Sequence, residues 1–191
     1  MTKNILKQWF LKHNPNLSVD KKDDVTKLNL MIYIANLMYY SIYHQDLMSE
    51  ALYKDLKDSK LNNESKSLAL KLNDQQYVIL NIVNWFYGNL SASELSSLVE
   101  KHSVWNETKI NGELKFNNID QYLNTIFKTL FELYKDAPFE YWKRIIVNDN
   151  IFLYDQRNLK ISDEVLNELK TIPKQKHSVW VELINGDLVY S

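Results

Sequence analysis

The sequence predicts a mainly helical α+β fold, in which a compact helical domain carries short β-hairpins, the clearest of them at the C-terminus. Only three glycines and three prolines occur among 191 residues, which favours long ordered elements. Apolar residues recur at helical spacing through most of the chain, whereas two apolar runs near its end flank Asn185-Gly186. The hydrophobic fraction of 45% excludes a mostly disordered chain.

The first two helices are predicted from apolar spacing and stop signals. Residues 2–13 form a short amphipathic helix that ends before Asn14-Pro15, because proline disfavours helical geometry in the preceding residue. Asp23 or Asp24 is expected to cap a longer helix reaching about Gln45. That helix is apolar nearly all round, which favours a central position in a bundle, and its apolar run is shorter than the roughly 20 residues of a membrane span.

Polar residues mark the predicted boundaries of the next segments. Ser49 is expected to cap a third helix from Glu50 to about Leu61, and the polar stretch 62–67 is predicted to be a loop. Asn73 or Asp74 then opens a helix that passes through Phe86.

A glycine and a capping box separate this helix from the following one. Gly88 is expected to end the first helix in a conformation with positive φ. Ser91 and Glu94 match a capping box, in which each side chain satisfies a backbone donor of the helix that they begin. This helix is predicted to end near His102.

A tight turn and a long helix come next. Ile110-Asn111-Gly112-Glu113 predicts a hairpin turn, since Asn-Gly tolerates the two positive φ angles of a type I′ turn. Asn117 or Asn118 is expected to cap a helix that continues to Tyr134, and Pro138 marks its exit.

The rest of the chain predicts two hairpins with a helix between them. The first hairpin spans residues 145–154, Ser162 caps the helix, and residues 179–190 form the second hairpin. We therefore expect a helical domain at 1–130 and a C-terminal α/β-hairpin extension at 131–191, packed on it.

One pentapeptide occurs twice. Lys176 to Trp180 repeats the sequence of Lys101 to Trp105, and an Ile-Asn-Gly triplet follows each copy. Two copies do not make a repeat architecture. We expect the first copy to close a helix and the second to enter a strand of the extension.

Composition excludes several classes of function. Lys and Arg total 23 against 24 Asp and Glu, and Arg144 and Arg157 are the only arginines, so we expect no direct nucleic-acid binding. The absence of cysteine excludes disulfides and thiolate chemistry. The N-terminus lacks the pattern of a signal peptide, and we therefore expect a cytoplasmic protein without membrane contact.

The histidines do not predict a catalytic or metal site. His13, His44, His102 and His177 are far apart in sequence, whereas zinc needs three or four clustered ligands. We expect no metal, no cofactor and no enzymatic activity. The remaining catalytic alternative is a hydrolase that uses Ser103, His102 and a carboxylate not identifiable from the sequence.

Aromatic side chains are the strongest signal for binding. Tyr39, Tyr40 and Tyr43 cannot all point inward from one helix, so at least one is expected to be exposed or to bind a partner. Tyrosine is frequent in interface hot spots because it offers a large contact area with little entropy loss.

The stretch from Leu72 to Trp105 has a specific residue pattern. Its members are Asp74, Ile79-Leu80, Tyr87-Gly88, the run from Ser91 to Ser96, His102 and Trp105. This pattern resembles the Panacea domain, the SocA-like antitoxin family, and Lys27 to Tyr33 is similar to an earlier helix of that family. The segment from Ala51 to Leu56 lacks the Gly-Pro-Val that the family usually carries there.

The resemblance implies an antitoxin-like protein that neutralises a cognate protein toxin by direct contact, without catalysis. The partner-binding residues are then expected on the Tyr39, Tyr40 and Tyr43 face or on a surface with His102 and Trp105. A protease adaptor or regulatory interaction module, including a phage-associated one, is the alternative.

Overall fold

The computed structural model describes residues 1–54 and 72–191, and these residues have the expected mainly helical α+β fold. They divide into a helical unit, Met1–Lys135, and a unit containing a β-sheet, Asp136–Ser191. The division lies just beyond the last helix of the first unit.

The first unit is built from helices that the sequence largely anticipates. In the described ranges they are α1 (Lys3–His13), α2 (Lys22–Tyr43), α3 (Asp74–Phe86), α4 (Ala92–Val99), α5 (Ser103–Glu107), a 3₁₀ helix (Phe116–Asn118) and α6 (Gln121–Tyr134).

Helix α2 is the centre of this unit. It contacts α1, α3, α4 and α6, and its residues are buried without a break from Lys27 to Tyr39. The expected central position is therefore confirmed, but the predicted cap is wrong. The helix begins after Lys21, and Asp23 and Asp24 lie in its first turn, where Asp24 Oδ2 instead accepts a hydrogen bond from the Ser18 amide at 3.1 Å.

Helix α3 starts at the predicted cap, but glycine follows its end for a different reason from the predicted one. Asn73 and Gln76 form a capping box at the first turn. Gly88 does not have positive φ. A side chain there would place Cβ only 2.2 Å from the backbone oxygen of Asn84 and 2.6 Å from Nδ2 of Asn14. Close packing, and not a left-handed turn, therefore requires glycine at this position.

The segment after α3 contains two helices where one was expected. The Ser91 and Glu94 capping box is confirmed, with Ser91 Oγ accepting from the Glu94 amide at 3.2 Å. Helix α4 ends at Val99, and His102 is the N-cap residue of the short helix α5. Trp105 consequently lies inside a helix.

Residues 49–54 do not begin a helix. Ser49 Oγ donates to the backbone oxygen of Met1, and Glu50 to Lys54 are non-helical. The rest of the predicted helix and the predicted loop at 62–67 lie outside the described residues.

Glu113 pairs with a distant segment, and the predicted Asn-Gly hairpin is absent. Only Asn111 of the two turn residues has positive φ, at 61°. Tyr53 and Glu113 form an isolated antiparallel bridge, flanked by hydrogen bonds from Lys54 to Gly112 and from Leu114 to Leu52. The cap predicted at Asn117 or Asn118 is also wrong, because both lie in the 3₁₀ helix and Asp120 caps α6.

The second unit contains both predicted hairpins. Strands β1 (Trp142–Val147) and β2 (Asn150–Asp155) meet at Asn148-Asp149, whose φ angles are 49° and 62°. Strands β3 (Val179–Ile184) and β4 (Asp187–Tyr190) meet at Asn185-Gly186, with φ angles of 55° and 95°. Both turns have the paired positive φ of type I′ geometry.

Helix α7 (Asp163–Thr171), capped by Ser162 as expected, connects the hairpins. Strands β2 and β3 pair in parallel, which gives the sheet order β1-β2-β3-β4. Phe152 and Leu169 are fully buried in the core between this sheet and α7, together with Val147, Leu159 and Val181.

Candidate functional site

The five side chains predicted to bind a partner all belong to the first unit, but they occupy three separate places. Tyr39 and Tyr43 pack together, Tyr40 lies beside an open cavity, and His102 and Trp105 are in the core. Tyr40 diverges from Tyr39 because consecutive positions on a helix point in different directions, whereas Tyr39 and Tyr43 are four residues apart and share a face.

Tyr39 and Tyr43 form an aromatic group with Phe131 of α6. The Tyr39 and Tyr43 ring centroids are 4.8 Å apart, and Tyr43 meets Phe131 edge to face at 5.9 Å. Tyr39 is only 4% exposed, and its hydroxyl donates to Gln75 Oε1 at 3.4 Å. Burial raises the pKa of both tyrosines, so both remain neutral donors at physiological pH.

Tyr40 is half-buried and lines a cavity of about 490 Å³. Its ring meets His44 edge to face at 6.1 Å. Of the predicted tyrosines, Tyr40 therefore combines partial exposure with a concave neighbourhood, which is the usual setting of a binding residue.

Among the described residues, three chain segments line this cavity, which we call the Tyr40 cavity. Helix α2 contributes Asn36 and Tyr40, and the bridge between Tyr53 and Glu113 holds the other two segments together. Those segments contribute Asp46, Met48, Ser49, Glu50, Ala51 and Leu52 on one side and Glu113, Leu114, Lys115, Phe116 and Asn117 on the other.

His102 and Trp105 belong to a buried aromatic cluster centred on Tyr33. Tyr33 stacks on His102 with ring centroids 5.8 Å apart and meets Trp105 edge to face at 5.1 Å. His102 is 5% exposed and Trp105 is 9% exposed. Their side chains therefore do not form the surface on which they were expected, and their observed role is packing.

Lys54 contacts this cluster at Trp105. Its ammonium group donates to the backbone oxygens of Trp105 and Thr108, at 2.6 and 2.9 Å, and lies 5.5 Å from the Trp105 ring centroid. These contacts satisfy carbonyl groups of the short helix α5 that its few residues leave without helical partners.

Two buried polar atoms of the cluster lack hydrogen-bond partners within the described ranges. They are Tyr33 Oη and His102 Nδ1. Burial lowers the pKa of His102 to about 4, an effect that Asp120 partly opposes. Burial, and secondarily the charge of Asp120, raises the pKa of Tyr33. Both rings are thus neutral at pH 7.

Ser103 is not arranged with His102 as a nucleophile and base. Its hydroxyl is within hydrogen-bonding distance of Asp120 Oδ2, at 3.3 Å, and of the backbone oxygen of Asn118, at 3.2 Å. Because His102 Nδ1 forms no bond to this hydroxyl, the serine-to-histidine contact of a nucleophilic relay is not formed here.

Residues 1–54 and 72–191 contain neither a cluster of metal ligands nor a membrane-spanning helix. No group of three His, Asp or Glu side chains in these ranges could hold a metal ion. No helix in the same ranges is long and apolar enough to cross a membrane.

The acidic lining of the Tyr40 cavity was not predicted from the sequence. Asp46 lies between two predicted helices, Glu50 at the predicted start of a helix, and Glu113 in the predicted hairpin turn. No local spacing signals that these carboxylates share one cavity, because the Tyr53 to Glu113 bridge that unites them spans about 60 residues.

Comparison with protein-family models, curated proteins and solved structures found no match to this chain.

Proposed function

We propose that this chain is an antitoxin-like binding protein that neutralises a cognate protein toxin by direct contact in the cytoplasm. The resemblance of Leu72 to Trp105 to the Panacea domain motivates the proposal. The observation that carries it is the Tyr40 cavity, an open concave surface beside a half-buried tyrosine in the unit that contains this stretch.

The residues behind the resemblance have mainly structural roles. Ser91 and Glu94 cap α4, Gly88 permits close packing, and His102 and Trp105 fill the cluster around Tyr33. They stabilise the first unit of this chain. Binding residues are accordingly sought elsewhere on the first unit.

Tyr40 is the best placed of the predicted binding residues. Tyr39, His102 and Trp105 are buried, and Tyr43 is occupied by ring contacts with Tyr39 and Phe131. A stable complex buries about 800 Å² on each partner, and tyrosine side chains next to pockets often dominate its energy.

The test first asks whether a small open reading frame lies next to this gene. If its product arrests growth, co-expression of this chain should restore growth, and the two proteins should copurify. Tyr40→Ala should weaken both effects, about tenfold or more in dissociation constant for a hot spot. Tyr122→Ala is the matched control, since Tyr122 is 78% exposed on α6 and does not line the cavity.

Two results would contradict the proposal. One is growth arrest that co-expression does not relieve although both proteins are folded. The other is relief that requires a cellular protease, with loss of the toxin from the cell, which would identify an adaptor.

A further inference from the structure

We propose that the Tyr40 cavity is the receptor for an arginine side chain of the partner protein. This inference rests on the proposed function and adds the chemistry of the contact. It follows from the excess of hydrogen-bond acceptors and negative charge in a cavity that also has an aromatic wall.

Asn36 supplies the first argument. Its side chain is almost completely enclosed, with 2% exposure, and it belongs to the cavity lining. Nδ2 donates to the backbone oxygen of Ile32 at 2.7 Å, which fixes the orientation of the amide. Among the described residues, none donates a hydrogen bond to Asn36 Oδ1. Asn36 Oδ1 is not one of the fully enclosed atoms that lack a partner, so it is open to the cavity and can accept a hydrogen bond from a ligand N–H group.

The charges around the cavity favour a cation. Asp46, Glu50 and Glu113 contribute three carboxylates, and Lys115 contributes the one ammonium group of the described lining, for a net formal charge of −2. The carboxylates do not belong to any group of three that could hold a metal ion in the described ranges. The surplus of carboxylate acceptors in the lining therefore suits an organic cation with several donors.

The remaining lining residues suit the aliphatic chain and the planar guanidinium of arginine. Met48, Leu52, Leu114 and Phe116 are apolar partners for the methylene groups, and Tyr40 is an aromatic residue of the same lining with which a guanidinium can stack. Arginine has five N–H donors in one plane and loses less hydration than lysine on burial. Arginine is thus favoured over lysine.

The wall carrying Glu50 is anchored within the unit. The Lys3 amide donates to Glu50 Oε1, and the Ser49 amide donates to the Met1 oxygen at 2.9 Å. A wall held in place before binding lowers the ordering cost of receiving a side chain.

The test is an NMR titration of the full chain with N-acetyl-arginine methylamide. Saturable shifts are expected at the Asn36 side-chain amide and the Tyr40 ring, with a dissociation constant in the millimolar range or above. The neutral citrulline analogue should give no such shifts. Added salt should weaken the arginine response, because partly exposed charges are screened.

Glu113→Gln should raise the dissociation constant about two- to fivefold, since one partly exposed carboxylate is removed. Glu164→Gln, which changes an exposed carboxylate of α7 outside the cavity, should leave it unchanged. Absence of saturable shifts, an equal response to citrulline, or tighter binding of the lysine analogue would overturn the arginine assignment.

The arginine receptor and the toxin-neutralising function can be refuted independently of each other. If the toxin binds wild-type and Glu113→Gln chains equally well, the arginine receptor is wrong and toxin neutralisation stands. If arginine binds the cavity as described and no toxin is neutralised, the receptor chemistry stands and the antitoxin function is wrong.

Discussion

Replacing Gly88 by alanine places a methyl carbon against the end of α3. The new Cβ would lie 2.2 Å from the Asn84 backbone oxygen, far inside normal contact, and 2.6 Å from Asn14 Nδ2. The first of these atoms belongs to the helix backbone and cannot rotate away. The segment around Gly88 must therefore move relative to α3.

That movement also disturbs two hydrogen bonds. The Gly88 carbonyl accepts from Asn14 Nδ2 at 3.1 Å and from Lys27 Nζ at 2.7 Å, and both side chains are buried. Overpacking costs about 1–3 kcal/mol, and weakening bonds to buried donors adds about 1–2 kcal/mol. Alanine lowers the entropy of the unfolded chain, which offsets about 0.4–1 kcal/mol.

The net expectation is a loss of about 3 kcal/mol in the free energy of unfolding of the first unit. This corresponds to a decrease of about 6–12 °C in its melting temperature. Urea and thermal unfolding, followed through NMR signals of α3, measure the change for this unit alone. An unfolding free energy equal to or above that of the wild type would refute the steric reasoning.

Gly186→Ala makes the same chemical change without a steric contact. Nothing lies within 4 Å of its added Cβ, but φ is +95°. We expect a loss of about 1–2 kcal/mol from backbone strain, seen in signals of β3 and β4.

Three further measurements test the buried histidine, one helix cap and the core of the second unit. Burial lowers the pKa of His102 from 6.5 to about 4, so the unfolded chain takes up this proton first and stability falls by about 3 kcal/mol as pH decreases from 6.5 to 4. His102→Gln should remove that part of the slope in urea titrations at successive pH values, and an unchanged slope would contradict it. Ser91→Ala should cost about 1 kcal/mol by breaking the α4 capping box, whereas Ser97→Ala on the exposed side of α4 should cost less than half as much; equal losses would argue against the cap. Phe152→Ala should destabilise the second unit by about 3–5 kcal/mol in hydrogen exchange of β1 and β2, and a loss below 1 kcal/mol would be inconsistent with its complete burial.

Local signals predicted the elements whose causes are local. Asn73, Ser91 and Ser162 cap helices because each side chain reaches a backbone amide three residues ahead. The turns at 148–149 and 185–186 form hairpins because these residues accept positive φ between apolar runs. The central position of α2 was also predictable, since a helix that is apolar all round must be covered.

The candidate site was predictable only in part. The divergence of Tyr39 and Tyr40 follows from helix geometry, and the structure places Tyr40 beside a cavity. The acidic walls of that cavity depend on the pairing of Tyr53 with Glu113, which lies far away along the chain. The burial of His102 and Trp105 depends on Tyr33, which is also remote along the chain.

The repeated pentapeptide shows the difference between what local sequence determines and what tertiary contacts determine. Val104-Trp105 is helical and Trp105 packs against Tyr33, whereas the identical Val179-Trp180 is in β3 and pairs with β2. By itself the sequence determined the composition class, the helix caps at Asn73, Ser91 and Ser162, two hairpin turns and the apolar character of α2. The tertiary structure decided which aromatic residues are buried, why Gly88 must be glycine and which carboxylates line the Tyr40 cavity. Each of these depends on contacts between residues that are remote along the chain.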